Sequence, residues 1–216
     1  MAEDFIVFIV DDDARMREAL LELLASYGIA ATAFGSAGDY MGADKPDVPA
    51  CLVLDVELPD INGLDLQGRM AQGGEHPPIV FITGHGDVPS SVRAMKNGAM
   101  DFLTKPFSDA DVLCAIRLAI SRDRADRATR GEIALLKQRY RALTPRERDV
   151  LPLVVSGLLN KQAAAQLGIS EVTLQVHRRN VMAKMGATSL ADLVRIAQRI
   201  EIPLSAPRRA EGSSRE

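Results

Sequence analysis

The 216-residue sequence predicts a doubly wound α/β domain, then a helical linker, then a small all-α domain of four helices. Three observations carry that prediction. Five short apolar runs are each followed by a helical pattern, the stretch from Asp109 to Arg141 holds no proline, and capped helix starts recur beyond Thr144. Strands of a parallel sheet are covered on both faces, so they read as continuous apolar runs rather than as alternating ones.

Phe5 to Val10 is the first such run and ends in Asp11, Asp12 and Asp13. Met16, Leu20, Leu23, Leu24 and Tyr27 then recur at helical spacing, and Gly28 supplies a left-handed stop. The pattern repeats with a strand at Ile29 to Phe34 and a helix opened by Ser36, then with Cys51 to Leu54 and a helix from Leu64 to Met70. Two further units follow: Ile79 to Thr83 with a helix from Val88 to Asn97, and Met100 to Leu103 with a helix from Asp109. Five units within residues 1–122 imply a ligand site at the carboxyl ends of the strands. From Asp109 to Arg141 only Gly131 weakens a long helix; its first half is expected to pack on the sheet. Its second half, charged nearly all round, makes 123–142 a solvated linker or a loose coiled coil. Residues 143–203 form the second domain, and the tail 204–216, rich in Ser, Arg, Glu and Pro, is expected to be disordered.

The longest apolar runs, such as Phe5 to Val10 and Pro78 to Thr83, fall far short of the roughly 20 residues a membrane span requires. The N-terminus lacks the pattern of an export signal, so a cytoplasmic location and no membrane partner are expected. Cys51 and Cys114 have no metal-ligand spacing and read as buried reduced thiols. The net charge of −3 hides an asymmetry: residues 1–122 carry −10, 123–142 carry +3 and 143–216 carry +4. A basic back half suits a polyanionic partner, although mild basicity alone is also ordinary surface.

Asp11 and Asp12 end the first strand, Asp55 the third and Thr83 the fourth, while Lys105 follows the fifth. All five are therefore expected on one rim. Three carboxylates there need a counter-charge, and a hard divalent cation such as Mg²⁺, together with the Lys105 ammonium, meets that need. A carboxylate so placed is set up to attack a phosphoryl group, because phosphoryl transfer asks mainly for alignment and charge neutralisation. Taken singly, Asp13 reads as a helix cap, Thr83 as a strand-end hydroxyl, Lys105 as a surface lysine and Phe102 as a core aromatic.

The strings VDDD (10–13), LVLDVELPDING (52–63), FITGHGD (81–87) and DFLTKPF (101–107) resemble the receiver domain of two-component response regulators, a flavodoxin-like fold. The resemblance implies that Asp55 accepts a phosphoryl group from a sensor histidine kinase, with Mg²⁺ held by Asp11, Asp12, Asp55 and the Glu57 backbone carbonyl. It further implies that Thr83 and Lys105 bind phosphoryl oxygens, that Phe102 turns inward on activation, and that Lys105-Pro106 is cis. His85, two residues beyond Thr83, either influences hydrolysis of the acyl phosphate or simply faces solvent.

In the back half, Thr144, Pro145 and Glu147 fit an N-cap, a first-turn proline and a capping box. Val150, Leu151, Val154 and Val155 give its buried stripe, and Gly157 stops it. Asn160 is expected to cap a second short helix, with Ala164, Ala165 and Leu167 facing inward and Gly168 ending it. Ser170 caps a third running to Met185. Two helices joined by a short glycine-containing turn make helix-turn-helix geometry, whose second member enters the major groove. Leu174, Val181 and Met185 are spaced to face the core, leaving Gln175, Val176 and Arg179 for base edges. Lys161, Thr173, Arg178 and Lys184 are candidates for phosphate contacts.

The stretch LTPRERDVLPLVVSGLLNKQAAAQLGISEVTLQVHRRNVMAKM (143–185) resembles the LuxR-type helix-turn-helix, and the pair of domains resembles the NarL/FixJ family. Ala164 and Leu174 depart from the usual residues at their positions, which touches packing geometry. For His177 both a structural role and a phosphate contact stay open. A last helix from Ser189 to Ile200 carries Leu190, Leu193, Ile196, Ala197 and Ile200 on one stripe; the resemblance makes it a pairing helix, and packing within the domain is the alternative. The resemblance implies a non-enzymatic transcription regulator that dimerises on phosphorylation, binds a double-stranded DNA operator and works with RNA polymerase. The competing readings are a phosphorylation-independent DNA-binding regulator and a Mg²⁺-dependent aspartyl-phosphate hydrolase.

Overall fold

Five parallel strands, β1 (Ile6–Val10), β2 (Ala31–Phe34), β3 (Ala50–Asp55), β4 (Ile79–Thr83) and β5 (Asp101–Thr104), form one sheet in the order β2-β1-β3-β4-β5. The computed structural model describes residues 5–203 apart from residue 75, so the expected disorder of 204–216 lies outside the described residues. Side chains alternate across the sheet as strand geometry requires. Val7, Ile9, Cys51, Val53, Val80 and Ile82 face α1 (Ala14–Ser26) and the first part of α5 (Asp109–Arg141). Phe8, Val10, Leu52, Leu54, Ile79 and Phe81 face α2 (Ala37–Gly42), α3 (Gly63–Gly73) and α4 (Val88–Lys96). This is the flavodoxin-like doubly wound arrangement, with helices on both faces. The order reverses between β1 and β3, which opens a crevice at their carboxyl ends.

The local signals behave as the sequence indicates. Asp13 caps α1 by accepting from the Arg15 N–H, and Asn62 and Asp87 cap α3 and α4. β5 begins at Asp101, one residue later than expected. Cys51 is buried, but Cys114 is exposed, a correction to the expectation that both thiols are buried. Its neighbours Leu113, Ala115 and Ile116 take the sheet-facing positions of the helix, and 114 turns away. Gln67 on α3 donates to the carbonyls of Ala94 and Asn97 at the end of α4, joining the two helices by 3.2 Å bonds.

The chain divides into two compact units, Met1–Ala128 and Thr129–Glu216, so the division falls inside α5. In the first unit the buried Asp123 carboxylate accepts from the Ala50 N–H at 2.9 Å and pairs with Arg127, which also pairs with Asp47. In the second, α6 (Pro145–Val155), α7 (Asn160–Leu167), α8 (Glu171–Met185) and α9 (Leu190–Arg199) enclose a core that includes Leu136 of α5, only 8% exposed, with Tyr140 packed against it. The solvated face expected for 123–142 is therefore interrupted at Asp123 and again at Leu136. A period average over a charged segment hides single anchoring residues.

Asn160 does not cap α7. Leu159 occupies that position, its N–H donating to Gln162 Oε1, and Asn160 is already helical. Ala164 faces inward and Leu167 packs against the core as expected, but the second buried alanine is Ala163 rather than Ala165, which is exposed, so the alanine pair sits one residue earlier than expected. Among small alanines the helical period is weak, so the phase was poorly determined.

Gly63, the first residue of α3, lies against the end of β3: a Cβ there would stand 2.3 Å from the Asp55 carbonyl oxygen. Gly68, on the same helix, has nothing within 4 Å of such a Cβ. Gly63→Ala should therefore lower unfolding stability by roughly 1–3 kcal/mol through overpacking, while Gly68→Ala should raise it by about 0.5–1 kcal/mol through helix propensity. Urea titrations of the two full-length variants against the parent check both signs.

Candidate phosphoacceptor rim and nucleic-acid interface

β1 and β3 are neighbours, with Val10 opposite Leu54, so the residues that follow them emerge side by side at the crevice. Asp11 is fully buried, Asp55 is 4% exposed and Asp12 is exposed; oxygens of the three lie within 4.8 Å of one another. Each buried carboxylate accepts an N–H from two residues onward, Asp13 N to Asp11 Oδ1 at 2.8 Å and Glu57 N to Asp55 Oδ1 at 3.0 Å. Such Asx turns fold the loops back over the carboxylates. Arg17 Nη1, which the sequence reading missed, donates to the Asp11 and Asp12 carbonyls and holds the acidic loop.

Lys105 Nζ bridges the two buried carboxylates, 2.8 Å from Asp11 Oδ2 and 2.7 Å from Asp55 Oδ2. Its N–H is anchored on the Thr83 carbonyl at 2.7 Å, and the Lys105-Pro106 bond is cis. Burial disfavours charge on the ammonium, but the hydrogen bonds and fields of Asp11 and Asp55 outweigh it, and the Lys105 pKa stands above the ordinary lysine value. For Asp11 the balance falls the other way. Burial is the largest influence and raises its pKa, the lysine opposes that, and Asp55 adds to it. One ammonium thus compensates two buried carboxylates incompletely.

Thr83 is buried at the end of β4, and its hydroxyl exchanges hydrogen bonds with the backbone of His85, accepting from the N–H at 3.2 Å and donating to the carbonyl at 3.3 Å. His85 Nδ1 lies 3.2 Å from Glu57 Oε1 on the exposed edge of the rim. Phe102, half-buried on β5, packs 6.1 Å from Phe81, ring centre to ring centre. Gly86 lies close to both Thr104 and Phe102. The structure thus gathers Asp11, Asp12 and Asp55 within reach of one another, with Lys105 touching Asp11 and Asp55. Thr83 stands at the same rim with its hydroxyl engaged by the next loop.

In the second unit Leu174, Val181 and Met185 are buried, while Gln175, Val176 and Arg179 stand exposed on the opposite side of α8. Lys161 and Thr173 are exposed, Arg178 Nη1 is 3.1 Å from Asn160 Oδ1, and His177 is half-buried. Lys184 is engaged inside the unit: its ammonium donates at 2.7 Å to Glu147 Oε2, which is almost wholly buried and also accepts the Thr144 N–H of the capping box. The capping role of Glu147 is legible in sequence, whereas its ion pair needs α6 and α8 to be packed first. On α9, Leu193, Ile196, Ala197 and Ile200 are spent in the unit's own core, and Leu190 is exposed.

Residues 7–117 match the response regulator receiver domain, and residues 141–197 match the luxR family of bacterial regulatory proteins. Nodulation protein W of Bradyrhizobium diazoefficiens is 50% identical over 91% of this chain and 87% of its own length. The solved structure of the response regulator StyR matches with 43% identity and a TM-score of 0.79, covering 91% of this chain and 99% of that one. The full-length FixJ structure from B. japonicum matches with 39% identity and a TM-score of 0.54, covering 94% and 100%. The fold and rim define a receiver coupled to a DNA-binding domain. The chain belongs to the NarL/FixJ family of two-component response regulators and is a transcription regulator.

Lys184, followed by Thr144, holds the Glu147 pKa below the ordinary glutamate value of about 4.5 despite burial. A depressed carboxylate contributes stability that is present above its unfolded pKa and lost as pH falls through the folded one. The second unit should therefore lose stability below about pH 4.5, the ordinary value. Glu147→Gln should be less stable at pH 7 by about 1 kcal/mol, with a flatter profile on the acid side. Thermal melts of the full chain from pH 7 to 3 compare the two.

Proposed function

We propose that this regulator is switched by transfer of a phosphoryl group to Asp55 from a partner sensor histidine kinase, and that the switched form pairs with a second copy and binds a double-stranded DNA operator through α8. The observation that carries this reading is the convergence of Asp11, Asp12 and Asp55 on one rim, with Lys105 bridging Asp11 and Asp55. Three carboxylates against one ammonium leave two negative charges in excess. Hard oxygen donors with that residual charge suit Mg²⁺, for which Asp11, Asp12, Asp55 and the Glu57 carbonyl would be the ligands. When bound, the ion withdraws charge from phosphoryl oxygens.

Transfer forms a bond between an Asp55 carboxylate oxygen and phosphorus while the phosphorus–nitrogen bond of the kinase phosphohistidine breaks, the nitrogen keeping the electron pair. Lys105 already touches Asp55 and neutralises a phosphoryl oxygen without travelling. Thr83 exchanges its His85 partner for the phosphoryl group, and the 84–87 loop and Phe102, which Gly86 brings close together, follow inward. The chain accepts phosphate as a signal and turns over no external substrate.

Val88, Val92 and Met95 are spaced by four and three on α4 and are 75%, 44% and 49% exposed. An apolar stripe left in solvent supports a surface for the second copy. Two linked helix-turn-helix units then meet half-sites about one helical turn apart, and the link raises the effective concentration of the second unit. Gln175, Val176 and Arg179 read base edges, while Lys161, Thr173 and Arg178 contact phosphates, with Lys184 added where DNA draws it from Glu147. RNA polymerase in the cytoplasm is the downstream partner.

Sedimentation and binding to a duplex selected from a random pool, with and without beryllofluoride and Mg²⁺, test the gate. The wild-type chain should become dimeric and bind more tightly on activation, and Asp55→Asn should do neither. An Asp55→Asn protein that dimerises and binds like the activated wild type refutes the gate. On the same duplex, Arg179→Ala should cost about 1–3 kcal/mol and relax preference at one base pair, whereas Lys161→Ala should lower the salt slope by about one with preference intact.

A further inference from the structure

We propose that Arg139 is a positioning residue for the recognition helix α8, so that the DNA-reading module of this chain begins near Thr129, a dozen residues before the match to the luxR family at 141. The inference rests on the reading of α8 as the helix that meets DNA. The last four carbonyls of a helix lack intrahelical donors and carry its negative end. At the end of α8 the returning chain satisfies two of them, Gly186 N–H donating toward Ala183 and Met182 and Ala187 N–H to Met182 at 2.9 Å. Met185 O instead accepts from Arg139 Nη1, half-buried on α5, at 3.1 Å.

That approach is built into the fold. Gly186 has φ of +71°, which strains any residue with a side chain, and a Cβ there would lie 2.4 Å from Arg139 Nη1, so a side chain at 186 would push the guanidinium aside. The α5 segment that carries Arg139 is itself pinned. Leu136 is in the core, Glu132 pairs with Arg199 of α9, Arg148 of α6 donates to the Arg141 carbonyl at 2.7 Å, and its guanidinium stacks over Tyr140 at 5.9 Å. In the DNA-free chain three struts therefore orient α8: Arg178 to Asn160 on α7, Lys184 to Glu147 on α6, and Arg139, the one of the three assigned no DNA contact, from α5 to its carboxyl end. Base-edge hydrogen bonds weaken steeply with misalignment, whereas phosphate attraction does not, so loss of a strut falls first on sequence preference.

The test uses the full-length chain, a duplex that the wild-type protein enriches from a random pool, and a scrambled duplex of equal composition. Arg139→Met keeps length and removes donor and charge. Its affinity for the selected duplex should fall roughly tenfold, the scale of a charge-assisted hydrogen bond, with affinity for the scrambled duplex and the salt slope unchanged; Arg139→Lys should recover part of the loss. Equal losses on both duplexes with a salt slope lower by about one would make Arg139 a direct phosphate contact and overturn the proposal. Unchanged affinities overturn it as well. If Arg139→Met loses its helical circular dichroism, Arg139→Lys decides: a lowered selected-to-scrambled ratio supports positioning and a wild-type ratio refutes it. A wild-type chain that enriches no sequence overturns the recognition-helix reading, and this proposal with it.

Discussion

Two buried carboxylates on adjacent strands share one ammonium group, and the front unit is organised to make that possible. The strand order places β1 beside β3, the reversal between them opens the crevice, and Lys105 follows the strand two places further along the sheet. Carboxylates at such a depth are costly unless paired. The Asx turns at Asp11 and Asp55, the Arg17 clasp on the acidic loop and the close seat of Gly63 on the Asp55 carbonyl all hold the arrangement against that cost. A site that is under-compensated yet rigid is prepared for added positive charge and for a phosphoryl group.

The back unit solves a different problem with similar means. A helix that reads DNA must leave one face bare, so it has only its other face and its ends to hold it. Leu174, Val181 and Met185 supply apolar packing, and the polar struts of Arg178, Lys184 and Arg139 fix rotation and register. α5 contributes Val112, Ile116 and Ala119 to the front core and Leu136 to the back core, so one continuous helix is structural in both units.

Strands, caps and the residues of the rim were legible because each depends on local pattern. Buried parallel strands are continuous apolar runs, and Asp13, Ser170, Ser189 and the Thr144–Glu147 box act within a few residues of themselves. The gathering of Asp11, Asp55 and Lys105 followed from topology, since all lie at carboxyl ends of parallel strands. What escaped was long-range or weakly periodic. Lys184 reads as a DNA-facing cation until α6 brings Glu147 beneath it, and Arg139 and Leu136 sit in a charged run whose average conceals them. Arg17 looks like a surface residue of α1 although it clasps backbone carbonyls. The one-residue error at Asn160 and the phase of the 163–165 alanines arose where propensity barely distinguishes neighbours.

The claim that Asp55 takes up phosphate beside Lys105 and a divalent cation is tested most directly by intact-protein mass after incubation with acetyl phosphate, followed by peptide mapping. One phosphoryl group should be added per chain, located on Asp55, formed with Mg²⁺ and absent when the ion is chelated or Lys105 is replaced by alanine. Uptake at another residue, or equal uptake on Asp55 with no divalent ion present, would contradict it.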